Sequence, residues 1–113
     1  MIIYAVHIDV HREVEDDYRA WLKRHVRHML ALPGFERVEI YEREEDGHDD
    51  MAKWSVLYYV ESRRALENYF REYAIAMRDD GTNRFGDYFT VSRQILIPNA
   101  GMPPLDRVTR DDT

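Results

Sequence analysis

The chain contains no cysteine. Disulfides and thiolate metal centres are thereby excluded, and a reducing compartment, the cytoplasm, is the expected setting. Long apolar runs are missing as well: no window approaches the roughly 18 consecutive apolar residues that a membrane span needs. The opening MIIYAVHIDV alternates, with no basic stretch followed by an apolar block and small residues, so no secretory leader is expected. Basic charge is in deficit, with 16 Lys and Arg against 22 Asp and Glu and a net charge of −6. That balance argues against a nucleic-acid or anionic-membrane surface. There is no glycine-rich phosphate loop, nucleophile elbow or helix-borne zinc-protease motif.

What is present suffices for one small domain. A chain of 113 residues can bury roughly two thirds of its unfolded surface, enough for a core. IIYAVHIDV (2–10) has the period of a strand, with Ile2, Tyr4, Val6, Ile8 and Val10 on one face and Ile3, Ala5, His7 and Asp9 on the other. From about Glu13 the period lengthens: Val14, Tyr18, Trp21, Leu22, Val26, Met29 and Leu32 make the stripe of an amphipathic helix, stopped by Pro33-Gly34. FERVEIYERE (35–44) predicts a second, more polar strand, and Asp46-Gly47 a hairpin turn. KWSVLYYVE (53–61) is rich in β-branched and aromatic residues and predicts a third strand. Ser62 is a suitable N-cap for a second helix carrying Leu66, Tyr69, Phe70, Tyr73 and Met77, with Gly81 as its end. A fourth strand is expected over about 88–97.

The order β-α-β-β-α-β is that of the ferredoxin-like split unit: an α+β fold with a four-stranded antiparallel sheet and both helices on one face. The domain is expected to span 1–97, followed by an extended or mobile C-terminal tail over 98–113, where three prolines and a polar end stand. The sheet's second face should be polar in a monomer. Here Ile3, Ala5, Leu57 and Tyr59 fall on it. The expected remedy is a homodimer in which two sheets pack face to face and close a barrel.

MIIYAVHIDV, WLKRHVRHML followed by LPGF, WSVLYYVES and RFGDYF with its later arginine occur in this order and spacing over about residues 1–96. Together they resemble an uncharacterised domain-of-unknown-function (4286) family within the dimeric α+β barrel superfamily. The resemblance implies the ferredoxin-like fold and the dimer, and no established activity. It matches Trp21 and His25 of the first helix, the turn Arg84, Phe85, Gly86 and Asp87, and Arg93 of the last strand. The superfamily also includes cofactor-free monooxygenases, haem-degrading enzymes and stress-responsive small proteins, which are analogies of fold alone.

Two histidines of the first helix, His25 and His28, stand three residues apart. On a wheel of about 100° per residue, His25 falls at the centre of the apolar arc and His28 at its edge beside Trp21. His25 is therefore read either as a core histidine hydrogen-bonded beneath the helix, the commoner arrangement, or as a buried acid–base group. Zinc needs three or four ligands, and His7 lies on the strand face opposite the helices, so no metal is expected. The acidic run 44–50 has one glycine and no spaced ligand pattern, which makes it a poor calcium loop.

His7 and Asp9, beside Ile3, Ala5, Leu57 and Tyr59, have the character of a mostly apolar pocket with a few polar fixtures. Arg93 shares its strand face with Phe89, Val91 and Ile95, and a buried arginine there needs a carboxylate or several carbonyls, most simply a structural ion pair and, as the alternative, an acidic ligand. The candidate ligand-binding set is thus His7, Asp9, Trp21, His25, Tyr59 and Arg93, with no cofactor. The leading expectation is a dimer that binds a small, partly apolar molecule in the barrel. The alternatives are a cofactor-independent monooxygenase or isomerase with His25 or His7 as general base, or a structural protein with a filled barrel.

Overall fold

The computed structural model describes residues 1–44 and 49–107; the Asp46-Gly47 turn lies outside the described residues. Strand β1 spans Ile2–His11, and a 3-10 turn, Arg12–Val14, leads into helix α1, Glu15–Leu30. Strands β2 (Phe35–Glu42) and β3 (Met51–Val60) follow, then helices α2 (Arg63–Glu72) and α3 (Ala74–Phe85), a second 3-10 turn (Gly86–Tyr88) and strand β4 (Phe89–Leu96). The sheet is antiparallel with order β2-β3-β1-β4, as the ferredoxin-like reading requires.

Acidic residues fill the first turn of α1 and Arg27 and His28 its last, which complements the helix dipole. Pro33 and Gly34 then turn the chain into β2, with Gly34 at φ +82. Ser62 caps α2 as expected, its hydroxyl accepting from the Ala65 amide at 3.1 Å.

The core lies between the sheet and the helices. Tyr4, Ile8 and Val10 of β1 and Trp54, Val56, Tyr58 and Val60 of β3 meet Tyr18, Leu22 and Met29 of α1 and Leu66 and Tyr69 of α2. Each of these residues is at least nine-tenths buried. Residues 98–107 form no strand or helix and are exposed.

The second helical region departs from the expectation of one helix ending at Gly81. It breaks at Tyr73 (φ −126, ψ −24), and α3 then runs through Gly81 to Phe85. Gly81 serves close approach, not termination. A Cβ there would lie 2.9 Å from the Trp21 ring, so only glycine lets α3 settle on that indole. The terminating glycine is Gly86, whose φ of +53 with ψ of −124 leaves the helical path in a conformation that L side chains rarely adopt.

Candidate functional site

The alternation of β1 divides the candidate residues between two faces of the sheet. Strand pairing places Val6 opposite Arg93 and Tyr4 opposite Tyr58 on the helix side, and His7 opposite Ser55 and Asp9 opposite Lys53 on the open side. A cavity of about 80 Å³ lies on the helix side, between the sheet, α1 and α3. That is room for several waters, or for part of a small ligand whose remainder reaches solvent. Trp21, His25 and Arg93 line it; His7, Asp9 and Tyr59 do not.

The open-side residues are occupied with one another. His7 Nε2 donates to Gln94 Oε1 at 2.9 Å, and its Nδ1 accepts the Ser55 hydroxyl at 2.8 Å. Asp9 is paired with Arg43 and, at 3.0 Å, with Lys53. Burial would raise the Asp9 carboxyl, but hydrogen bonds and charge from Lys53 and Arg43 outweigh it and hold the group below the usual carboxylate range. The Tyr59 hydroxyl donates to Glu39 Oε1 at 2.6 Å, and Arg37 pairs with the same carboxylate.

In the cavity, Trp21 is the fixed wall. Its indole N–H donates to Asp80 Oδ2 on α3 at 2.6 Å. Asp80 is lowered from its ordinary value, first by that bond and then by the bond from Arg84. His25 lies flat on the indole, with ring centroids 4.5 Å apart and planes at 19°.

His25 is half-buried, not central in the core, whereas Trp21, Leu22, Val26 and Met29 around it on α1 are buried. Among the described residues neither of its ring nitrogens has a hydrogen-bond partner, contrary to the expected bonded core histidine. Burial pushes its pKa down from 6.5 to about 4, against the opposing charge of Asp80 and with a further small lowering from His28. His28 itself is exposed. Among the described residues no group of three metal-ligating side chains converges.

This arrangement carries a stability prediction. A histidine kept neutral in the fold is protonated in the unfolded chain below pH 6.5, so its contribution is complete above that pH and is lost as pH falls toward 4. Relative to a His25→Gln variant, the wild type should lose about 2 kcal/mol between pH 7 and pH 4, somewhat less than the full shift because the ring is only half-buried. Denaturant melts of both proteins at the two pH values measure this. Parallel losses would mean that the ring is not held neutral.

Arg93 also differs from expectation: it is exposed, and no ion pair engages it among the described residues. A second cavity arginine, Arg78, donates from its terminal nitrogen to the Tyr4 hydroxyl at 3.1 Å, while its Nε is buried without a partner. Tyr4, Tyr18, Tyr58 and Tyr69 complete the aromatic wall. Tyr69 is pushed up to about 12 by burial and by Tyr4, against the lowering influence of Arg78 and Arg93. Burial likewise raises Tyr18 and Tyr58, so these hydroxyls remain protonated donors.

Arg78 escaped the sequence reading although a signal was present. Ala74, Met77, Arg78 and Gly81 stand at i, i+3, i+4 and i+7, one face of a helix, and taking Gly81 as a helix end removed that face.

A four-stranded sheet covered on one side by helices is an α+β ferredoxin-like architecture, and several solved structures share that fold. One is a putative antibiotic biosynthesis monooxygenase from Deinococcus radiodurans, with 9% identity, TM-score 0.67, 94% of this chain covered and 100% of that one. Another is SnoaB, a cofactor-independent oxygenase from Streptomyces nogalater, with 13% identity, TM-score 0.63, and 91% and 98% covered. A third is Rv0793 from Mycobacterium tuberculosis, with 18% identity, TM-score 0.58, and 96% and 100% covered. At these identities the likeness establishes the fold. The chain belongs to the family described as domain of unknown function (DUF4286), matched over residues 1–98. No curated protein matches it by sequence.

Proposed function

We propose that the protein is a homodimeric α+β barrel that holds a small, partly apolar molecule in the cavity between α1, α3 and the sheet. The observation that carries this reading is the cavity itself: mostly aromatic and aliphatic walls with a few polar groups, the usual character of a small-molecule site. The dimer rests on the opposite face. There the partly buried Ile3 and Leu57 flank the buried Ala5, and the exposed Leu96 opposite Ile3 continues the apolar surface. His7, Asp9 and Tyr59 already have partners within the sheet, so burying this face against a second copy leaves no bare charge on them.

Native mass spectrometry of freshly purified protein tests both parts. The expected spectrum has a species of twice 13.6 kDa carrying additional mass that denaturation releases as a small organic molecule. A single-chain mass at micromolar concentration sinks the dimer, and a clean apo mass after exposure to cell extract sinks the binding role.

One observation favours a second reading, a cofactor-independent oxygenase or isomerase built on the same cavity. His25 lines it with both ring nitrogens unpartnered among the described residues, and burial keeps the ring neutral and so able to accept a proton. The similarity in fold to SnoaB adds to it by analogy. Turnover of the co-purified molecule, lost in His25→Gln, distinguishes enzyme from binder.

A further inference from the structure

The cavity has a sign, and that sign is opposite to the chain's. The protein carries a net charge of −6, yet the residues lining the cavity include two arginines and no aspartate or glutamate. Arg93 stands on β4, across from Val6, and has no carboxylate or carbonyl partner among the described residues. Arg78 stands on α3 and spends one terminal nitrogen on a neutral hydroxyl. Its Nε is the one described side-chain polar atom that is buried without any partner.

Two like charges on one partly desolvated cavity repel each other, and a buried cationic N–H without an acceptor costs more than a neutral one. Structural arginines are normally answered by a carboxylate. Six other arginines among the described residues pair with an Asp or Glu, including Arg43, the other partly buried one. Arg24, Arg27, Arg63, Arg64 and Arg107 have no such pair among the described residues but are exposed, whereas at the cavity the partly buried Arg78 lacks one beside the exposed, equally unpaired Arg93.

We infer that the ligand of this cavity is a small aromatic carboxylic acid, bound as its carboxylate between Arg78 and Arg93 with its ring against Tyr4, Tyr58, Tyr69 and Trp21. This rests on the reading of the cavity as a small-molecule site and specifies the class of molecule. The guanidinium fork matches a planar carboxylate, and one anion supplies acceptors to both arginines at once. A flat ring suits walls built from aromatic faces. Inorganic phosphate fits less well, because it gives up a strong hydration shell and gains nothing from the aromatic walls.

The test is isothermal titration of the full chain near pH 7 with benzoate, with benzamide as a neutral body of the same shape, and with inorganic phosphate. Benzoate should bind at least about tenfold more tightly than benzamide, the contribution of charge-assisted hydrogen bonds. Arg93→Gln, at an exposed position, should weaken benzoate about tenfold and leave benzamide unchanged. Arg78→Gln should act in the same direction, and Arg78→Lys should recover part of the loss if the charge is what matters; thermal melts show that each variant is folded.

Equal affinity for benzoate and benzamide, unchanged benzoate binding in both glutamine variants, displacement of benzoate by equimolar phosphate, or no binding of benzoate at all overturns the inference. The reading beneath it fails separately. A neutral molecule released from the purified protein refutes the carboxylate and leaves the binding role standing, whereas persistent apo protein removes the binding role.

Discussion

Trp21→Ala should lower the free energy of unfolding by about 3–5 kcal/mol, the range for removing a large buried aromatic. The indole is only 6% exposed and is held on several sides. Tyr18 and Phe85 pack on it at 5.3 and 5.9 Å between ring centroids, His25 stacks on it, and Gly81 allows α3 to come against its edge. Truncation also removes the indole donor from Asp80, which keeps its bond from Arg84. A second readout separates this from a general loss of packing. With the indole gone, His25 becomes hydrated and its pKa should climb from about 4 toward 6.5, a change that histidine ring NMR follows directly. Trp21→Phe, which keeps a ring but not the N–H, should cost about 1–2 kcal/mol and leave His25 near its wild-type value. A His25 pKa unmoved in Trp21→Ala would mean that the indole does not set its environment.

Gly34→Ala should cost about 2–5 kcal/mol. Two independent penalties act there. The backbone sits at φ +82, where an L-residue pays about 1–2 kcal/mol. A Cβ would also fall 2.4 Å from the Ala65 Cβ at the start of α2, and relieving such overpacking costs about 1–3 kcal/mol. The turn has little freedom to yield, since the Gly34 carbonyl accepts from the Glu61 amide at 2.8 Å. The double variant Gly34→Ala with Ala65→Gly separates the two: it should relieve the clash and keep the backbone penalty, giving a non-additive cycle in denaturant melts. Strict additivity would show that the two positions do not touch.

The architecture was legible in the chain because its signals are local and mutually consistent. The period-two alternation of 2–10, the 3.6-residue stripe of α1 and the Ser62 cap each reappear where they were expected. Gly81 shows where local reading stops. Glycine at the end of an apolar stripe looks the same whether it caps a helix or admits a neighbour, and only the indole 60 positions earlier in the chain decides. The cavity was half legible for a related reason. Both faces of β1 and β3 carry apolar residues, so alternation separates Trp21, His25 and Arg93 from His7, Asp9 and Tyr59 without saying which group borders empty space. The partners that occupy His7, Asp9 and Tyr59 come from neighbouring strands up to 87 residues away, and no local pattern announces them.

Along β1, even-numbered residues such as Tyr4, Val6 and Ile8 border the cavity, and odd-numbered ones such as Ile3, Ala5 and His7 belong to the open side. One step along the strand changes face. A lineage can therefore retune what the cavity admits by substituting even positions while the odd positions stay under their own selection, and the reverse holds equally. Ten residues thus carry two separately heritable specificities. The change that would disturb both at once is a single-residue insertion or deletion within the strand, which exchanges the faces of everything beyond it.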